Sequence, residues 1–542
     1  MSDDSTSTRA ARCGSPDPTS LEPARPETAL AVEIRRLRAA AGLSQNQLAD
    51  AIGYTRQYVS RAERLTGGCP SAELVRVLDT ELSADGALIA LHAQLLPQRT
   101  ARRKRATHVR GAGSARSSSD PTSVTCATPL MAPVSAASSS VGTTPRYSRP
   151  VALNPVRGRE PAIAVDGHTN DGEIRAPAGR FFSGTVIPFR AVPARDDGRI
   201  LATVPTGFVD DAFIRHPRRR LVVGITPESE NQGMFAMDAR QARRRLNGAP
   251  DHAPLLMPRA YALDDLTLGL LWAVSNLDEA LLDDDAALAR CTGHAHTYER
   301  LPRSAAGREI AADLAPVSQM WLGSQFCASH ILRHTNALAA APRFWTREQR
   351  GEEASTWLLF AHKFAYLQRS TGNGEHIAVR RAFCVPASVV ADSHRTERIL
   401  LLLAMALMES FGIAVDVCAE PEYAAVSGFV VDGHRTAITA NWVGTDGIWQ
   451  VDVTGAPPLL REFTDATGFA QAHSVIAADS AGGRIRATAE YLDLDWSWLS
   501  QRSAELGEYG SGGIVAPRSR LLSTDGVDRA CRFLAATAVT AR

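Results

Sequence analysis

The sequence predicts a small all-α domain at the N-terminus, a disordered linker, and a large α+β region that makes up the rest of the chain. Three observations carry this reading. Residues 28–94 show helical hydrophobic spacing broken by short polar stops. From Pro97 to about Gly172 the composition shifts to Ser, Ala, Thr, Pro, Gly and Arg with no sustained period. Beyond Gly184, short β-branched runs alternate with long apolar helical patterns.

Residues 1–27 are rich in Ser, Thr, Pro and Asp and read as a disordered leader without an apolar signal segment. In "LAVEIRRLRAAA" (30–41), Leu30, Ile34, Leu37 and Ala41 form one apolar stripe. Gly42 is the stop signal. Ser44 with Gln47 three residues on has the pattern of a capping box, and Leu48, Ala49 and Ile52 form the inner side of a second helix. Gly53 ends that helix at a position suited to positive φ, and Thr55 caps a third in which Val59 and Ala62 face inward. "SAELVRVLDTEL" (71–82) and "ADGALIALHAQ" (84–94) supply a fourth and a fifth helix. The turn at 53–54 is too short for a flexible linker, so the second and third helices must cross at a fixed steep angle.

"LSQNQLADAIGYTRQYVSRAER" resembles the helix-turn-helix of the phage-repressor and Cro (Xre-like) family of DNA-binding domains. Leu43, Ser44, Gln45, Leu48, Ala49, Gly53, Thr55, Val59, Ser60 and Glu63 fit the family pattern. The resemblance covers residues 28–94 and implies an all-α five-helix helix-turn-helix domain that binds double-stranded DNA. It makes 55–64 the recognition helix, entering the major groove by its N-terminal end. It places Arg56 and Gln57 at base edges, with Ser60 and Arg61 one turn further on. Gln45 is expected on a phosphate, with Thr55 adding a second contact. For Arg38 and Glu63 it implies an internal salt bridge between the first and third helices.

Residues 29–93 contain seven Arg and seven acids, so the module is formally neutral. Positive charge is concentrated on the recognition helix and in "QRTARRKRATHVR" (98–110), which has six Lys or Arg and no acid. The segment 95–175 reads as a disordered basic and Ser/Ala/Pro linker, and its basic part suits sequence-independent phosphate contact.

Residues 176–542 read as an α+β effector or dimerisation region, with a split into subdomains expected near 342–350. Strands are expected at 185–189, 200–204, 221–225, 414–418, 427–432, 436–443 and 448–454. Helices are expected at 263–282, 318–338, 352–370, 395–411, and around 484–492, 496–507 and 524–537.

Cys327, His330 and His334 share one helix face, but no further ligand accompanies them, so no metal is expected. His294 and His296 are expected in an exposed loop. Residues 395–454 resemble in part the core of transglutaminase-like cysteine hydrolases. Asp452 stands at the place of the family's Asp, Ala440 where its His would be, and Glu397 near where its Cys would be. That departure implies a non-catalytic domain. No phosphate-loop, dinucleotide, zinc-protease or nucleophile-elbow motif is present. The chain is therefore expected to be no enzyme and to carry no cofactor. A defence or toxin-like hydrolase with an autoregulatory module, and an interaction scaffold, are the competing readings. Contact between a Cys and a His among Cys384, Cys418, His473 and Asp452 would favour the first.

The eight cysteines are scattered without C-x-x-C pairing, and the longest apolar run, "ILLLLAMALM" (399–408), is short of the roughly 20 residues that span a bilayer. A cytoplasmic protein without membrane attachment is expected. It is expected to form a homo-oligomer and to take a small-molecule or protein effector on its C-terminal region. The arrangement resembles actinobacterial transcriptional regulators with uncharacterised C-terminal domains. Deleting 98–110 is expected to flatten the salt dependence of DNA affinity and leave base preference intact, read from binding isotherms at several salt concentrations.

Overall fold

A computed structural model describes residues 26–52, 59–60, 62–63, 72–93, 160–165, 171–205, 208, 210–227, 233–246, 253–338, 341–371, 379–433, 435–445 and 447–539. They fall into two compact units, one on each side of the 94–159 stretch.

The N-terminal unit contains helices α1 (Pro26–Ala40), α2 (Gln45–Ile52) and α3 (Ala72–Glu81), with further helical turns at 59–60 and 87–93. Leu30, Ile34, Leu48, Val59, Leu78 and Leu88 form its core, each no more than 1% exposed. Ala41, expected on the apolar stripe, is exposed because α1 already ends at Ala40. Gly42 adopts φ +68°, and the Gly42 and Leu43 amides donate back to the carbonyls of Ala39 and Arg38. This pair of bonds satisfies helix-end carbonyls that would otherwise lack donors. Ser44 and Gln47 form the expected capping box: the Gln47 amide donates to Ser44 Oγ at 3.2 Å and the Ser44 amide to Gln47 Oε1 at 2.9 Å. At the far end, the buried Asp79 carboxylate accepts from the amides of Gly86 (2.8 Å) and Leu88 (2.9 Å), capping the last helical stretch.

The C-terminal unit is a mixed α/β fold with two seven-stranded sheets. The first runs β1 (Ala162–Val165), β2 (Asp171–Ala176), β3 (Thr185–Asp196), β4 (Ile200–Thr203) and β7 (Pro254–Met257), while β5 (Leu221–Ile225) joins β3 and β6 (Met234–Asp238) joins β5. Strands β1 and β2 lie within the segment expected as linker to residue 175. The backbone of β2 pairs with β3 in continuous register, so folded structure starts well before residue 176.

The second sheet has the order β11 (Ala414–Cys418), β10 (Arg380–Cys384), β9 (Arg343–Thr346), β12 (Phe429–Val431), β13 (Ala437–Asn441), β14 (Trp449–Thr454) and β8 (Ser304–Ala306). Strands β9, β10 and β11 are parallel, and the others pair antiparallel. The expected split near 342–350 is not found. That segment contains β9, an interior strand of this sheet between β10 and β12, and one hydrophobic core runs from Ile163 to Leu534.

Side-chain alternation gives this sheet two buried faces. Phe344, Phe383, Val415, Val417, Val430 and Ile438 join the main core. Their neighbours Trp345, Ala382, Cys384, Cys418, Phe429 and Ala437 form a second core under the Pro457–Ala472 helix. Each strand residue thus alternates between two hydrophobic surfaces, which explains why the strands carry little polar alternation.

The helix expected over 352–370 is two helices, Gly351–Leu359 and Ala361–Thr371. Phe360 takes an extended conformation (φ −73°, ψ 118°) and bridges to Leu522. Neither Gly nor Pro marks the break, so its cause is the distant pairing partner. A buried ion network ties in the chain's last portion. Arg219 lies between Asp238 (3.1 Å) and Asp278 (2.8 Å), and Arg518 also reaches Asp238 at 2.7 Å. No helix among the described residues is long and apolar enough to cross a membrane.

His330, on the Pro316–His334 helix, is fully buried, and neither ring nitrogen has a hydrogen-bond partner among the described residues. Burial, with the nearby His334 and Arg333, pulls its pKa down from 6.5 to about 4. Between those values the unfolded chain binds a proton that the folded chain does not. Stability is therefore present at neutral pH and lost as pH falls through that window. From neutral pH to about 5 the loss from this residue is about 2 kcal/mol. His330→Leu is expected to flatten that dependence in denaturation followed by tryptophan fluorescence. All eight tryptophans lie between 272 and 498, so the signal reports the C-terminal unit.

Candidate nucleic-acid interface

The N-terminal bundle is organised around one buried carboxylate. Glu63 is 2% exposed and sits at the end of the third helical segment. Its Oε1 accepts from Arg38 Nε at 2.5 Å and its Oε2 from Arg38 at 3.2 Å, a two-point ion pair between α1 and the third segment. That bond raises the Arg38 pKa above its ordinary value. Arg38 also donates to the Leu43 carbonyl at 2.5 Å, holding the α1–α2 turn. Arg35, one turn earlier on the same face, donates to the Glu63 backbone carbonyl at 2.7 Å.

The salt bridge between Arg38 and Glu63 is the one that the sequence resemblance implies. The Arg35 bond was not anticipated, although its spacing of three from Arg38 places both on one helix face.

Gln45, the first residue of α2, donates from its side-chain amide to Glu63 Oε2 at 2.9 Å. The residue expected on a phosphate is therefore also a member of the internal network, and it is half-buried. Through Glu63 the start of α2, the last turns of α1 and the end of the third segment are held to one another. Such an anchor fixes the mutual orientation of these three segments. Ser60 lies in helical backbone next to the fully buried Val59 and is itself half-buried. Gly53, Thr55, Arg56, Gln57 and Arg61, and the basic stretch 98–110, lie outside the described residues.

Among the described residues of the C-terminal unit, the sequence-flagged groups lie in different surroundings. Cys384 and Cys418 are opposite each other on the parallel strands β10 and β11, both buried. His473 instead stacks on Phe469 at 4.2 Å, and its Nδ1 bonds the Phe469 carbonyl at 3.1 Å. The Asp452 carboxylate is 3.9 Å from the exposed Arg303. Glu397 is bonded to His394 at 3.0 Å at the head of the Arg395–Ser410 helix. That helix packs on β11 and on other helices, whereas β13 and β14 pack on Pro316–His334. Ala440 and Asp452 thus lie on the paired strands β13 and β14, while Glu397 heads a helix that packs on β11 at the other end of the sheet. Among the described residues no group of three His, Cys, Asp or Glu could hold a metal, Cys327, His330 and His334 included. His294 closes the Asp285–Ala295 helix rather than lying in a loop, and the exposed His296 is bonded to Glu299.

Arg38→Met is expected to destabilise the bundle by about 3 kcal/mol, because it leaves the Glu63 carboxylate buried without its counterion. The double variant Arg38→Met/Glu63→Leu is expected to recover much of that loss. Thermal melts of residues 1–100 followed by circular dichroism complete the cycle.

The family model for a helix-turn-helix domain matches residues 29–91. No curated protein and no solved structure matches the chain. The N-terminal unit is a helix-turn-helix domain, and the mixed α/β unit that follows it lies outside that match.

Proposed function

We propose that this chain is a sequence-specific double-stranded-DNA-binding transcriptional regulator. The observation that carries the reading is the Glu63–Arg38–Gln45 network, within a segment that matches a helix-turn-helix domain. Rigid presentation of one helix tip is what reading base edges in the major groove requires. In this reading Arg56 and Gln57 contact base edges, where Arg suits guanine and Gln suits adenine. Thr55 and Gln45 hold phosphates on either side, and Ser60 and Arg61 extend the contact by one turn.

The neutral bundle supplies little long-range attraction, so the basic stretch 98–110 adds phosphate affinity independent of sequence. One short helix makes few base contacts. Two modules joined through the C-terminal unit gain effective concentration and read a two-fold site. That unit therefore serves oligomerisation or effector sensing in this reading, not catalysis, and the protein acts in the cytoplasm as an Xre-like regulator.

Arg56→Ala is expected to weaken binding by about 1–3 kcal/mol and to relax one position of the selected site. Selection of duplexes from a random pool with both proteins tests this. An identical consensus from the two would remove Arg56 from the base contacts, and no enrichment by the parent chain would remove the function itself.

A further inference from the structure

A cavity of about 60 Å³ lies between the second sheet and the helices Pro316–His334, Gly351–Leu359 and Ala361–Thr371. By that measure it has room for roughly four waters, or for a small organic ion. Its wall contains two buried cations. Lys363 is 3% exposed, and its Nζ donates to Glu348 Oε1 at 3.0 Å and to Thr356 Oγ1 at 2.8 Å. The same ammonium sits 4.0 Å from the Trp357 ring centroid and 4.5 Å from that of Trp442.

Arg381 on β10 is 4% exposed and is bonded to the hydroxyls of Thr346 (2.9 Å) and Tyr366 (3.5 Å). Its guanidinium lies between the rings of Phe344 (4.4 Å) and Trp357 (4.9 Å).

The charges in this wall do not balance. Glu348 is paired with Lys363, and no carboxylate among the described residues pairs with Arg381. Burying a guanidinium without an anion is costly, and stacking on aromatic faces offsets only part of that cost. Three buried donors of residues in the same wall, Arg381 Nε, Trp357 Nε1 and Trp345 Nε1, have no acceptor among the described residues. What the site lacks is a negatively charged oxygen acceptor. Ser324 Oγ, also in the wall, is already within 2.7 Å of His362 Nε2.

We propose that this chamber binds a small organic carboxylate, with its anionic end paired to Arg381 and Lys363 and its carbon end against Trp357, Trp442 and Phe344. A monoanion neutralises the excess of one positive charge on the buried side chains, the half-buried Arg347 in the same wall adds a further cation, and the aromatic faces suit a short carbon chain. Burial pulls the Lys363 pKa down to about 8 against the opposing pull of Glu348, in keeping with a site poorly reached by solvent. The inference rests on the C-terminal unit alone and stands apart from the DNA-binding reading.

The test is a fluorescence titration of the full chain with acetate, propionate and lactate at constant ionic strength, alongside propionamide and inorganic phosphate. Trp357 and Trp442 line the chamber, so an occupant changes their share of the tryptophan signal. A saturable change with at least one carboxylate, absent with propionamide, is the expected result. Ala328→Leu fills the cavity and leaves every charge in place. It is expected to weaken that binding by about tenfold or more, with the near-ultraviolet circular dichroism of the parent retained. Lys363→Met is expected to weaken it as well. Because loss of Lys363 also unpairs Glu348, the Ala328 variant is the deciding one. The proposal is overturned if no carboxylate saturates, if propionamide binds as well as propionate, if phosphate alone binds, or if folded Ala328→Leu binds unchanged.

Discussion

The N-terminal domain depends on one carboxylate taken out of water. Glu63 holds the two-point pair with Arg38 and the amide of Gln45, and its backbone carbonyl takes Arg35. A buried ion pair of this kind contributes little net stability against an apolar replacement, because desolvation offsets the attraction. What it contributes is direction. An apolar contact tolerates sliding and rotation, whereas a guanidinium fork on a carboxylate permits one arrangement. Three helices of modest length, with a core of small aliphatic side chains, are thereby held at one mutual angle.

The C-terminal unit solves a different problem. Its second sheet is covered on both faces, and its strands belong to two hydrophobic cores at once. The polar chamber arises where that regular layering is interrupted. Residues six apart on an unbroken helix point roughly 120° apart, so Trp357 and Lys363 would face different ways. The extended turn at Phe360 brings the ammonium back over the indole. Arg381 comes to the same place from the sheet, where its neighbour Ala382 faces the opposite core. Two cations from separate elements converge because one helix breaks and one strand alternates.

The parts of the fold that could be read from the sequence are those governed by neighbours in the chain. The Ser44–Gln47 box, the stop at Gly42 and the inward Val59 and Ala62 depend on three or four consecutive positions. Strands such as β5 and β11 are apolar enough to declare themselves. Strands β9 and β10 were not legible, since "RFWT" and "RRAFC" carry charges where a buried central strand is expected to be apolar. Those charges are there because Arg381 lines a chamber and Arg380 pairs with Asp416 across to β11. Strands β1 and β2 were hidden in a Pro- and Gly-bearing stretch whose composition resembles a linker. Of the interface, Gln45 was legible as a residue at a helix start, but its bond to Glu63 joins positions eighteen apart.

The sequence by itself determined the helical periods, the caps and the motif of the N-terminal domain, because each is a matter of spacing within a turn or two of helix. It also separated that domain from the α/β unit by composition. Only the tertiary structure decided that β9 lies in the interior of a sheet, that a helix without Gly or Pro breaks at Phe360, and that Arg381 and Lys363 share a wall. Each of these is decided by a partner far along the chain: β10 and β12 beside β9, Leu522 beside Phe360, Glu348 and Trp357 around Lys363. The free energy of burying apolar surface depends on what lies on the other side of it, and that is set by packing and not by local spacing.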